Sequence, residues 1–205
     1  MRKIDKKAPP ADLARFVEKE HPQKFDDIHH SKQFPGLYEE CREQLLDEQE
    51  HLSGYTEKPL AAKGIHVDHY RRQALFNSGQ YIFGWSNLIA DEHADYGADC
   101  KDSIVKNCAD YDKLINPVEE DPHRYLTYVD EGLVVPQNDL TYAEREKAEY
   151  TIETFNLKHK LLVEKRRAAI KMVREYKGYG LSDEVILDCM KGYGFPSVVE
   201  YALMK

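Results

Sequence analysis

Apolar positions along the chain first fall into register between Ala11 and Glu20, where Leu13, Phe16 and Val17 share one side of a short helix. His21-Pro22 closes it, because the residue before a proline is pushed out of helical geometry. Residues 23–35 read as a loop. A second helix is predicted from about Gly36 to His51, with Leu37, Cys41, Gln44, Leu45 and Glu48 at helical spacing, although only Leu37, Cys41 and Leu45 are apolar. The rhythm then changes. Gly64-Ile-His-Val-Asp-His-Tyr70 alternates as a strand does, with Ile65, Val67 and His69 on one face and His66, Asp68 and Tyr70 on the other. Tyr81 to Ala90 is a second extended stretch, aromatic and β-branched, and Ala94 to Val105 suits a short helix. Strand, long loop, strand, short helix is the order of a small ββα unit.

After Leu114-Ile-Asn-Pro117 the pattern predicts a hairpin, in which Tyr125–Val129 and Leu133–Val135 flank Asp130-Glu-Gly132, with glycine where a positive φ is cheap. From Tyr142 onward the reading is helical. Thr141 caps a helix to about Phe155, with Glu144 as its capping-box partner. Leu157–Tyr176 follows, and Gly178-Tyr-Gly180 breaks it. Ser182 caps a helix to about Met190, and Pro196–Met204 forms the last one. The fold class expected is α+β, mainly α: a small ββα core with a β-hairpin, embedded in N- and C-terminal helices. It divides into a helical docking segment (1–52), the ββα core with its hairpin (53–140) and a C-terminal helical region (141–205).

The chain has 205 residues, 32% of them charged, and a formal net charge of -8. No run approaches the roughly 20 apolar residues of a membrane span, and no apolar stretch follows the charged start. A cytoplasmic protein with no membrane partner is expected. The acidic balance argues against coating nucleic acid by bulk attraction, but leaves room for a local basic face. Such a face is predicted on the long helix. Lys160, Arg166, Arg167, Lys171, Arg174 and Lys177 fall on one broad side, opposite Leu161, Leu162, Ala168, Ala169, Met172, Val173 and Tyr176. Arg166, Arg167, Lys171 and Arg174 are the candidate phosphate contacts; pairing with acids elsewhere in the chain, or docking on an acidic partner, are the other readings. Cys41, Cys100, Cys108 and Cys189 include no CxxC pair and read as buried free thiols.

The chemistry concentrates in His66-Val-Asp-His-Tyr70, Gly84-Trp-Ser-Asn-Leu88 and Gly97-Ala-Asp-Cys-Lys-Asp-Ser103. Phosphodiester hydrolysis needs a base to activate water and a hard cation to neutralise developing charge. A histidine supplies the first near neutral pH, and a carboxylate ligates the second. Adjacent strand residues point to opposite faces, so Asp68 and His69 share a site only if the strand ends there and the chain bends after Tyr70.

This order of Asp-His, Trp-x-Asn-Leu and a helix start with lysine resembles the HNH, or ββα-metal, nuclease family. Leu114-Ile-Asn-Pro117, Glu120-Asp-Pro122, Asp130-Glu-Gly132, Thr151-Ile-Glu-Thr-Phe-Asn-Leu157 and Arg166-Arg167 extend the resemblance over roughly residues 35–175, to the PtuB-type nuclease subunits of Septu anti-phage systems, including retron-associated ones. The resemblance implies a metal-dependent endonuclease cleaving DNA or RNA, transfer RNA included, as the effector of a bacterial defence complex. Its partners would be a PtuA-like ATPase and, in retron versions, a reverse transcriptase with its RNA–DNA hybrid. The implied roles are His69 as general base, Asn87 as the residue orienting its loop, and Asp68 as ligand of Mg²⁺ or Mn²⁺. His66 and Lys101 are auxiliary. The family's last metal ligand aligns with Ala98, which cannot ligate, so a one-residue shift makes Asp99 the candidate, with His93 or a second site held by water alone as the alternatives. The family's structural-zinc cysteines align with Ser53, Thr56, Ala94 and Gly97, so no structural zinc is expected. The loss at Ala98 also motivates a catalytically degraded HNH-fold adaptor as the alternative, with a stand-alone nicking enzyme as a third reading.

Overall fold

A computed structural model describes residues 1–61, 64–76 and 79–205. About half of the chain is helical, and the fold is α+β, mainly α. Helix α1 (Ala11–Glu20) ends at His21, whose backbone turns left-handed (φ 46°). Residues Phe25–His30, expected as loop, wind into a 3₁₀ turn that buries Phe25 and Ile28. Helix α2 (Leu37–Glu48) buries Leu37, Cys41, Leu45 and Leu46. Strand β1 (Ile65–His69) pairs antiparallel with β2 (Leu88–Glu92).

The approach to β2 departs from expectation. Instead of an extended Tyr81–Ala90, a helical turn α3 (Gly79–Ile82) and a 3₁₀ turn (Trp85–Asn87) precede the strand. Packing explains the difference. Ile82, Phe83 and Trp85 are all buried in one cluster with Phe16, Phe25 and Leu45, and the two-residue period of a strand would send neighbours Ile82 and Phe83 to opposite faces. Helix α4 (Ala98–Ile104) completes the ββα unit and starts later than predicted.

Strands β3 (Leu126–Tyr128) and β4 (Val134–Pro136) form the expected hairpin, with Gly132 at φ 83° in the turn. Helix α5 (Tyr142–Thr154) starts on the predicted capping box between Thr141 and Glu144. Helix α6 (Lys160–Gly178) follows, then α7 (Asp183–Met190) with the Ser182 hydroxyl accepting from Val185 N, then α8 (Pro196–Leu203).

Two hydrophobic clusters sit on either side of the β1–β2 ladder. One joins α1, α2 and the Phe25–His30 turn to Leu88 and Ala90. The other runs from Met1 and Ile4 through Tyr55, Tyr70 and Ile89 to α5, α6 and α8. Segments 53–140 and 141–205 therefore share one core. The cysteines correct another expectation: only Cys41 is buried, while Cys108 and Cys189 are exposed. Among the described residues, no helix is long and apolar enough to cross a membrane.

Candidate functional site

The ladder pairs His69 with Leu88, Asp68 with Ile89, Val67 with Ala90 and His66 with Asp91. β1 ends at His69 and the chain bends at Tyr70 and Arg71, but the bend comes after both residues, and His69 is still in register with Leu88. Strand alternation prevails, and the two side chains fall on opposite faces.

Asp68 faces α4. Its carboxylate accepts from the Tyr55 hydroxyl and pairs with the Lys101 ammonium at 3.1 Å. Lys101 is fully buried. Its Nζ also donates to the carbonyls of His69 (2.7 Å) and Tyr70 (3.1 Å) and lies 2.8 Å from Asp102 Oδ1. Burial alone would lower the Lys101 pKa, but the Asp68 and Asp102 carboxylates outweigh it and raise it. A charged ammonium thus sits in an oxygen cage between strand and helix, where the resemblance implies a divalent ion. Lys101, expected as an auxiliary residue, is the buried ion-pair partner of Asp68. Asp99 lies elsewhere, accepting from the backbone N–H of Ala94 and contacting His93. As placed, Asp68 and Asp99 do not fit one Mg²⁺ or Mn²⁺ ion.

His69 faces the opposite cluster and is 6% exposed. Its Nε2 lies 2.9 Å from the carbonyl of Ile82, and its ring meets Phe25 edge-on at 4.9 Å. A carbonyl only accepts, so Nε2 carries the proton and Nδ1 the lone pair. Burial lowers the His69 pKa, partly opposed by the Ile82 carbonyl and Asp68, so the ring is neutral near pH 7. Asn87 makes the backbone bonds anticipated for it. Its Oδ1 accepts from Arg71 N (2.8 Å), while Nδ2 donates to the carbonyls of Arg71 (2.9 Å) and Tyr81 (2.6 Å). It ties the exit of β1 to the turns before β2.

Asp91, which the sequence motifs do not mark, closes the other end of the unit. It is fully buried and accepts from the Ser53 hydroxyl (2.6 Å) and from Ala98 N (2.8 Å). Ser53 Oγ in turn accepts from the backbone of Thr56 at 3.1 Å. One carboxylate thus joins the Ser53–Thr56 turn to the start of α4, the two places where the resemblance aligns thiolates. Burial pushes the Asp91 pKa up to about 7. Gly97, at φ 71°, is required there, because a Cβ would lie 2.4 Å from Asp91 Oδ2. A charged residue ending the apolar run Leu88-Ile-Ala90 was the signal available in the sequence.

The basic helix needs two corrections, the first being that Leu161 and Ala168, expected on its apolar side, are exposed, and the second concerning Arg166. Arg166 is 1% exposed, packed over Tyr128 and Phe195, and donates to the Leu157 carbonyl at 2.6 Å. It lies one turn after Leu162 and three residues before Ala169, on the buried stripe of α6, and touches no exterior ligand. Arg167, Lys171 and Arg174 share a shallow depression with Asp130 and Glu175. There Arg174 pairs with Asp130 at 2.6 Å and Lys171 with Glu175 at 3.7 Å. His66 leaves the Asp68 cage for a different group: its ring stacks on His93 at 4.0 Å.

No family model matches the chain, and no curated protein matches it either.

Proposed function

We propose that the chain is the nuclease subunit of a partner-gated complex, an HNH-type phosphodiesterase closed while alone. The observation that carries this reading is the His69 ring, whose Nε2 is spent on the Ile82 carbonyl, leaving Nδ1 as a neutral proton acceptor at the end of a strand braced by Asn87. That is the tautomer a general base needs to take a proton from water. The ring is 6% exposed and packed edge-on against Phe25, which leaves little room for a phosphate beside it. Phe25 belongs to the N-terminal helical segment, so docking of a partner on residues 1–52 supplies a route to opening. The ATPase subunit implied by the resemblance is the proposed partner, and DNA or RNA the substrate. Arg167 and Lys171, on the exposed side of α6, are the proposed phosphate contacts.

A second reading, the HNH-fold adaptor without catalysis, is favoured by the Lys101 ammonium filling the cage around Asp68. One experiment separates the two. The chain alone and the assembly purified from its native host are assayed on plasmid DNA and transfer RNA, with and without Mg²⁺. The nuclease reading expects cleavage by the assembly, little by the chain alone, and a loss of about 100- to 10,000-fold in a His69→Ala assembly. An assembly that cleaves nothing, or cleaves equally with His69→Ala, leaves the adaptor.

A further inference from the structure

We propose that His66, His93 and Asp99 form a binding site for a divalent transition-metal ion, best suited to Zn²⁺, that clips together the three elements of the ββα unit. One donor atom from each residue lies within 4.8 Å of the other two. His66 comes from β1, His93 follows directly on β2, and Asp99 lies in the first turn of α4. Two imidazoles and a carboxylate select zinc and its neighbours over Mg²⁺ or Ca²⁺, which prefer oxygen alone. Three protein ligands leave a fourth position for water.

The side chains are close to what binding requires. Tetrahedral zinc with ligands at about 2.0–2.1 Å holds its donors about 3.3 Å apart, so the largest closure needed is about 1.5 Å. His93 Nδ1 is already 3.2 Å from both Asp99 carboxylate oxygens. The His66 and His93 rings stack at 4.0 Å, 9° from parallel. Ring lone pairs lie in the ring plane, so binding splays the stack. His93, with its side chain 69% exposed, is the ring free to turn. His66 Nδ1 is buried and has no hydrogen-bond partner among the described residues. Such an atom costs stability until it is partnered.

This site is separate from the Lys101 cage and from His69, which lies three residues on, about 10 Å along the strand and on the other face. It therefore stands or falls independently of the nuclease reading.

The test uses the full chain stripped of metal by chelator, with ZnCl₂ as the probe in calorimetry and Co²⁺ as a spectroscopic stand-in. One equivalent of Zn²⁺ is expected, with a rise in Tm of about 5–10 °C at a hundredfold excess over Kd. His93→Ala and Asp99→Asn, both at exposed side chains, should keep the metal-free Tm and weaken Zn²⁺ binding at least about tenfold, since each removes one ligand. The proposal is overturned if the wild-type chain takes up no Zn²⁺, or if both variants bind it as tightly as the wild type does.

Discussion

Replacing Lys101 by methionine tests the centre of the ββα unit. The side chain stays unbranched, one atom shorter, and loses its charge. Asp68, itself 6% exposed, would then be left with only the Tyr55 hydroxyl, while the carbonyls of His69 and Tyr70 and the carboxylate of Asp102 would lose their common donor. Removing one partner of a buried ion pair costs about 3–5 kcal/mol, mostly because the other charge is stranded. For a domain of this size each kcal/mol moves Tm by about 2–4 °C, so Lys101→Met should melt about 6–20 °C below wild type. Adding Asp68→Asn removes the stranded charge, and the double variant should recover at least half of the loss. Urea unfolding followed by circular dichroism gives both single variants and the double-mutant cycle. A Lys101→Met protein within 1 kcal/mol of wild type, or a double variant no better than the single, would refute the claim that this ammonium is the cation neutralising Asp68.

The other predictions address separate parts of the molecule. Lys6, whose ammonium is buried beside Glu48 and over the Trp85 ring, has its pKa pushed by desolvation from 10.5 down to about 8. The folded state holds this proton less tightly than the unfolded one, so the group penalises folding below pH 8 and the penalty fades as pH rises from 8 to 10.5. At about 1.4 kcal/mol per pH unit the full effect is about 3 kcal/mol. Wild type should gain that much over Lys6→Met across this window, and parallel stability curves would contradict it. On α6, Arg166→Ala should cost stability, about 2–4 kcal/mol for a buried side chain truncated in place, measured by the same unfolding assay. Arg167→Ala should leave stability unchanged and weaken nucleic-acid binding by the assembly, lowering the salt slope by about one; an unchanged slope would remove Arg167 from the interface.

Local features carried most of the secondary structure. The Thr141–Glu144 capping box, the Ser182 cap, the proline after His21 and the glycine at position 132 each act within a few residues, so the sequence reveals them without reference to the rest of the chain. The order of the ββα unit was legible from the alternation within each segment, whereas the backbone role of Asn87, which bonds Arg71 16 residues away, came from the family resemblance. What the sequence left open was decided by long-range packing. Whether the strand end and the bend after it bring Asp68 and His69 into one groove could not be read locally, and pairing of His69 with Leu88 keeps both residues in strand alternation up to the bend at Tyr70. Whether Arg166 faces solvent depends on Tyr128 and Phe195, which lie far away in the chain. The Asp91 bridge, the Lys101 cage and the stacking of His66 on His93 all join residues from separate elements. Their pairing is set by where the two hydrophobic clusters press strand against helix, and a buried charge or lone pair then takes the nearest partner that lowers its desolvation cost.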